Sequence, residues 1–352
     1  MNKKLLSILI ANAVVASNYA YANRNTEDLE RIFRAQSEDQ QSELTFDSFF
    51  SAHGTVGTAF EFEDKVTDYE GGRRDKETIK TAYIGKLYYH HQMSNMAFTY
   101  DLKTQDLTKR SFDANGKQTG AETSSTWVHI FTAQKAISLG NGFTTGAFYG
   151  VDYQDGVVNG NGAFDVDKTI TEHTFHIPLT YYNPKYGVGF YSHVELLKSK
   201  TDQEAGGTWG EYKQDDLAYS YLFKPYYRTG NWELGVELFY QTKDTETTWG
   251  DSEFSEFYYE PLVTYSFEDA GTLFLRARFG ENETINKDNG AEYYTDILKG
   301  TVGYEQEIGD DWLVKAEYEY TKDENTDNGY FAWDEDKETI GHKVYLQALY
   351  RF

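Results

Sequence analysis

The sequence predicts an all-β fold: a transmembrane, antiparallel, up-and-down β-barrel of about fourteen strands. Three observations predict it. The chain carries 30 Tyr and 23 Phe although its mean hydropathy is −0.68; so many rings argue against disorder and suit surfaces that are wet at one edge and apolar at the other. From Phe49 onward apolar and polar residues alternate with a period of two. Short and long connections also alternate along the chain, as they do when turns lie at one membrane face and loops at the other.

The elements follow in order. Lys3 and Lys4 precede the apolar run Leu5 to Ala16, and Ala20-Tyr21-Ala22 supplies a small-x-small cleavage site, so residues 1–22 read as a secretory signal peptide. The apolar run is well short of the ~20 residues that span a bilayer as a helix. Residues 23–46 read as an N-terminal periplasmic extension or plug: Thr26 before Glu27-Asp28 is an N-cap signal, and Leu29, Ile32 and Phe33 share a helical face. The barrel is expected over residues 47–352. Its first segment puts Phe50, Ala52, Gly54, Val56, Phe60 and Phe62 on one face, with Ser51, His53, Thr55, Gly57, Glu61 and Glu63 on the other.

Comparable segments are expected at Thr78–His91, Met96–Lys103, Thr123–Ile137, Phe143–Gln154, Ile170–Tyr182, Tyr186–Lys198, Leu217–Arg228 and Asn231–Lys243. The rest are Phe254–Ser266, Thr272–Gly280, Tyr293–Glu305, Trp312–Thr321 and Thr339–Phe352. Long connections such as Thr104–Ala121 and the acidic Lys322–Glu338 alternate with short ones such as Leu139–Gly142 and Asn183–Tyr186. An even strand number places both termini in the periplasm and the long loops outside. Pro178, Pro225 and Pro261 fall inside expected strands, where a bulge could absorb each missing donor. In the fourth segment Trp127/Phe131 and Val128/Ile130 compete for the lipid face.

Trp232, Leu234, Val236, Leu238 and Tyr240 place aromatics at both ends of an aliphatic stretch, and Trp312, Val314, Ala316, Tyr318 and Tyr320 repeat the arrangement. These are expected to meet lipid and lipopolysaccharide, the rings forming the two girdles of a membrane barrel. The opposite faces, Glu233/Glu237/Gln241 and Lys315/Glu317/Glu319, are too charged for a packed core and require a wet lumen. Tight hairpins put Lys86 opposite Asp101, Lys299 opposite Glu319 and Glu260 opposite Arg278. Arg276, Lys343 and Arg351 join these as pore-lining charges, with Tyr191, Tyr226, Tyr258, Phe274 and Tyr345 as inward rings that fill space or stack on sugars. Pairing Asn183 with Tyr186 places His176 opposite His193 with Glu195 two positions on, a wall that acid would strain by charging both imidazoles.

Several classes are excluded or disfavoured. A formal charge of −24 makes nucleic acid an unsuitable partner, and the absence of Cys removes disulfides and thiolate metal sites. No metal-ligand spacing, phosphate-binding loop or Ser/His/acid constellation is present, so neither a cofactor nor catalysis is expected. A barrel enzyme of phospholipase or protease type would need a catalytic histidine at the rim, for which His342 and His173 are the candidates.

On strand count, connection pattern, charged lumen, the penultimate strand Leu313-Val314-Lys315-Ala316-Glu317-Tyr318-Glu319-Tyr320 and the close Leu349-Tyr350-Arg351-Phe352, the chain resembles the monomeric fourteen-stranded porins of the outer membrane porin G type and the related cyclodextrin porin. The resemblance covers about Phe49 to Phe352. It implies a monomer in the outer membrane of a Gram-negative bacterium, passing oligosaccharides or other hydrophilic solutes by diffusion, with Phe352 read by the barrel-assembly machinery. A sixteen-stranded trimeric sugar porin, one hairpin larger, is the neighbouring alternative.

Overall fold

The structure, a computed structural model, describes residues 52–91, 96–160, 164–205, 211–268, 271–309, 311–327 and 336–352. The expectations for residues 1–46 lie outside the described residues. Fourteen strands follow in chain order: β1 Ala52–Tyr69, β2 Arg74–His91, β3 Met96–Phe112, β4 Gln118–Gly140, β5 Phe143–Gly160, β6 Phe164–Asn183 and β7 Val188–Ala205. They continue as β8 Glu211–Thr229, β9 Trp232–Thr247, β10 Gly250–Phe267, β11 Gly271–Asn286, β12 Glu292–Ile308, β13 Trp312–Asp327 and β14 Lys337–Arg351. Each pairs antiparallel with its chain neighbours, and β1 pairs with β14 to close the barrel. Gly54 and Phe352 exchange backbone hydrogen bonds of 3.0 Å at that seam. Closure satisfies every edge, which a bilayer demands, and leaves no place for a further hairpin of the sixteen-stranded alternative.

Burial alternates along the strands as the sequence does. On β9 Trp232, Leu234, Val236, Leu238 and Tyr240 are 38–48% exposed on the outer face, while Glu237 and Gln241 are buried on the inner one. In β4 the outer face belongs to Trp127 and Phe131, and Val128 and Ile130 are buried inside. Neighbour register decides this: Phe131 opposes Tyr100 on β3, itself an outer-face residue.

The strands run further than the hydropathy pattern suggests. Where Thr104–Ala121 reads as a loop, β3 and β4 stay paired up to Phe112 and Gln118, and β9 and β10 turn through Thr248 and Trp249 alone. Beyond the apolar belt both faces meet water, so alternation disappears from the sequence although the backbone ladder continues. Side chains tie these extensions: Arg74 Nε donates to Asp68 at 2.5 Å, and Lys109 lies 3.4 Å from Asp75. Tyr69 donates to the same Asp75 at 2.9 Å, and burial together with that carboxylate pushes its phenol up.

Three expectations of register and regularity are corrected. The β6–β7 turn does contain a Tyr186 N to Asn183 O bond of 3.3 Å, but Gly187, at φ +66°, extends it and donates to the same oxygen at 2.9 Å. Pairing therefore begins at Asn183↔Val188, which sets His176 opposite Glu195 and His193 opposite Pro178. The β12–β13 pairing begins one residue later than expected, at Ile308↔Trp312, so Lys299 opposes Thr321 and Glu319 opposes Thr301. No bulge accompanies Pro178, Pro225 or Pro261; each interrupts the ladder on one side only and the register resumes unchanged. The bulges that do occur include one at Ile84 and Gly85, opposite β1 and β3.

Candidate functional site

The inner face of the wall gathers most of the residues singled out above. Three groups form where inward positions of adjacent strands align. Across β9–β11, Tyr258 donates to Glu237 Oε1 at 2.7 Å and stacks on Phe239 at 4.8 Å. Arg278 lies 3.7 Å over the Tyr258 ring and donates from Nε to Glu260 Oε2 at 2.8 Å. Arg276 Nη1 is 3.9 Å from the other Glu260 oxygen, and Lys224 is 3.7 Å from Glu237. Glu260 and Glu237 face each other directly across β10 and β9. Like charges so placed repel, and the cations on either side make the arrangement tenable.

The second group spans β11–β14. Glu319 receives both Lys343, at 2.6 Å, and Lys299, at 3.3 Å on a diagonal despite the corrected register. Lys315 pairs with Glu317, and Arg276 reaches the same carboxylate at 4.0 Å. Half-buried Phe274 lies between two of these cations, Arg276 at 5.3 Å and Lys315 at 5.4 Å from its ring centre. Its partner across the ladder is Gly303, where a Cβ would fall 2.0 Å from the ring. Gly303 is thus what lets the ring lie against the wall. Tyr226 repeats this against Gly189, where a Cβ would come within 2.5 Å.

Third, Lys86 faces Asp101 at 3.3 Å and stands 4.9 Å over Tyr83, which meets Tyr345 edge-on at 6.1 Å. Two of the residues expected to line the pore, Glu233 and Arg351, lie at the rim that carries the chain end. Arg228 ties to Glu233 at 2.6 Å beside the β8–β9 turn, and Arg351 reaches Glu307 at 2.7 Å.

On β6 and β7, His176 Nε2 lies 2.9 Å from Glu195 Oε2, and the His176 and His193 ring centres are 4.9 Å apart. Tyr191, fully buried, places its hydroxyl 3.2 Å from His193 Nδ1. Sequence reading missed what lies next to them: Asp152 on β5 directly opposes Glu172 on β6, and both border a small cavity with His176 and Glu195. Alternation alone put these carboxylates on inward positions, so the signal was present.

The candidate catalytic histidines face the other way. His173 and His342 are exposed on the outer face, where Nδ1 lies 2.8 Å from the Tyr149 hydroxyl and 2.7 Å from the Tyr318 hydroxyl, respectively. His129 and Tyr100 form a third such pair at 3.0 Å. The described contacts of these three histidines are with tyrosines, and Asp64 directly opposes His342 across β1 and β14.

No curated protein sequence matches the chain. Among solved structures, the Pseudomonas putida toluene transporter TodX is similar at 11% identity and TM-score 0.49, covering 86% of this chain and 91% of that one. A Pseudomonas aeruginosa FadL homologue is similar at 11% identity and TM-score 0.45, covering 86% and 90%. Of the two relatives the sequence resembles, the cyclodextrin porin is the one matched by a family model, described as "Putative cyclodextrin porin", over residues 1–352. With the whole chain covered, this closed fourteen-stranded barrel belongs to the CymA family of porins.

Proposed function

We propose that the chain is a passive diffusion channel of the Gram-negative outer membrane for hydrophilic solutes of the oligosaccharide class. The observation that carries this reading is Phe274, a ring lying against Gly303 with Arg276 and Lys315 beside it and Glu317 paired with both cations. An apolar face bordered by hydrogen-bonding charges matches a sugar ring, which is apolar above and below and hydroxylated at its edge. Paired charges of both signs around the inner face favour neutral solutes over a strongly charged one. Such pairs also replace water on a passing polyol without holding it, which conduction requires. The family description names a cyclodextrin porin, a cyclic oligosaccharide being the same class of solute.

On the same reading the exposed outer belt would meet lipid and lipopolysaccharide, the protein would act as a monomer, and Phe352 would be read by the assembly machinery. Liposomes carrying the purified protein test the solute class by their swelling in isotonic sugar. Swelling in linear and cyclic oligosaccharides that slows in Phe274→Ala supports it; equal exclusion of every sugar, with barrels folded and inserted, contradicts it.

A further inference from the structure

We propose that His176, His193 and Glu195 form a binding site for a divalent transition metal of the Zn²⁺ type in the inner wall. All three are buried, and one donor atom from each lies within 4.8 Å of the others. A tetrahedral ion with bonds of about 2.1 Å separates its ligands by roughly 3.4 Å, so the widest donor separation needs to shorten by about 1.4 Å at most. Two imidazoles and a carboxylate suit Zn²⁺ or Cu²⁺ and not Ca²⁺, which prefers an all-oxygen set.

The surroundings are those of a metal centre. Ser220 donates to Glu195 Oε1 at 3.1 Å, leaving Oε2 toward His176, and the Tyr191 hydroxyl engages His193 Nδ1, leaving Nε2 available. Outer contacts of this kind fix ligand orientation. Phe148 packs edge-on to the His176 ring at 4.4 Å and restricts it further.

An independent observation points to a cation. The cavity of about 20 Å³ bordered by His176 and Glu195 also has Asp152 and Glu172 in its wall. These carboxylates oppose each other directly across β5 and β6, and Oδ1 of Asp152 is buried with no hydrogen-bond partner. Lys103 on β3 is the counter-charge to Asp152. Three carboxyl groups around one cavity are costly to bury as anions unless paired or coordinated, and a divalent ion at the histidine end would add positive charge beside them.

The test is Zn²⁺ titration of the folded full chain in detergent by calorimetry after chelator treatment, with Cu²⁺ electron paramagnetic resonance as a second readout. Expected are one ion per chain, copper hyperfine structure from two imidazole nitrogens, and at least a tenfold loss of affinity in His193→Gln and in His176→Gln. Only the folded fraction, identified by its electrophoretic mobility without heating, is titrated. Absence of binding, a copper spectrum lacking two imidazoles, or unchanged affinity in both variants overturns the assignment and, in the last case, moves binding to another cluster.

Discussion

His176 and His193 sit on neighbouring strands with ring centres 4.9 Å apart, one diagonal step out of register, and the residue directly opposite His176 is Glu195. His176 Nε2 lies 2.9 Å from Glu195 Oε2, and Ser220 donates to the other carboxylate oxygen at 3.1 Å. Glu195→Ala should therefore lower stability by about 1–3 kcal/mol, the cost of leaving buried polar partners unsatisfied. Urea unfolding of the reconstituted barrel checks this; an unchanged midpoint contradicts it.

That register shows where the sequence was legible and where it was not. Strand number and face were readable because one side of each segment must be apolar against lipid, as on β9 from Trp232 to Tyr240. Strand length was not readable: from Thr104 to Phe112 both faces of β3 are mostly polar, with Leu107 and Phe112 the exceptions, and the backbone ladder is what marks them as strand. Pro184 announced a turn, but the residue at which pairing resumes depended on Gly187 taking a left-handed conformation. Moving the first pair from Asn183↔Tyr186 to Asn183↔Val188 lengthens the turn by two residues and so separated His176 from its expected mate. Lys299 still found Glu319 because long side chains bridge a diagonal.

Arg278 is expected to be the most sensitive inner-face residue. It holds Glu260 at 2.8 Å and covers Tyr258 at 3.7 Å. Arg278→Ala strands a buried carboxylate and should cost about 3 kcal/mol, the low end for a broken buried pair, because Arg276 remains 3.9 Å from Glu260. Glu260→Gln/Arg278→Gln should recover part of that loss. Equilibrium unfolding of the two variants decides between them, and equal losses would remove the charge argument.

The outer-face pairs Tyr100–His129, Tyr149–His173 and Tyr318–His342 share one diagonal geometry on separate hairpins. Each Tyr→Phe change should cost about 0.6 kcal/mol, the typical value for a side-chain hydrogen bond in a membrane protein. The triple variant should show the sum, since the sites share no partners. Unfolding midpoints of the single and triple variants measure this; a strongly non-additive triple would mean that the pairs communicate.

Topology makes a separate prediction. A Cys placed at Asn115, in the β3–β4 connection, should react with an impermeant thiol reagent on intact cells, and one at Asn183 should not. Labelling at Asn183 alone would invert the barrel.

Gly303→Val should push the Phe274 ring off the wall into the lumen while leaving the barrel closed, because the clash is with a side chain and not with backbone. Overpacking of this kind costs about 1–3 kcal/mol. Single-channel conductance should fall and sugar interaction should change, with strand content by circular dichroism unaltered. An unchanged channel would show that Phe274 does not border the path.

Single-channel recording of the purified wild-type protein in a planar bilayer, with cyclodextrins and linear oligosaccharides added in turn, tests the central claim most directly. A steady ohmic current that sugars interrupt reversibly, with residence times shortened in Phe274→Ala, is the expected result. A folded, inserted barrel that carries no current, or a current that no sugar perturbs, contradicts the account.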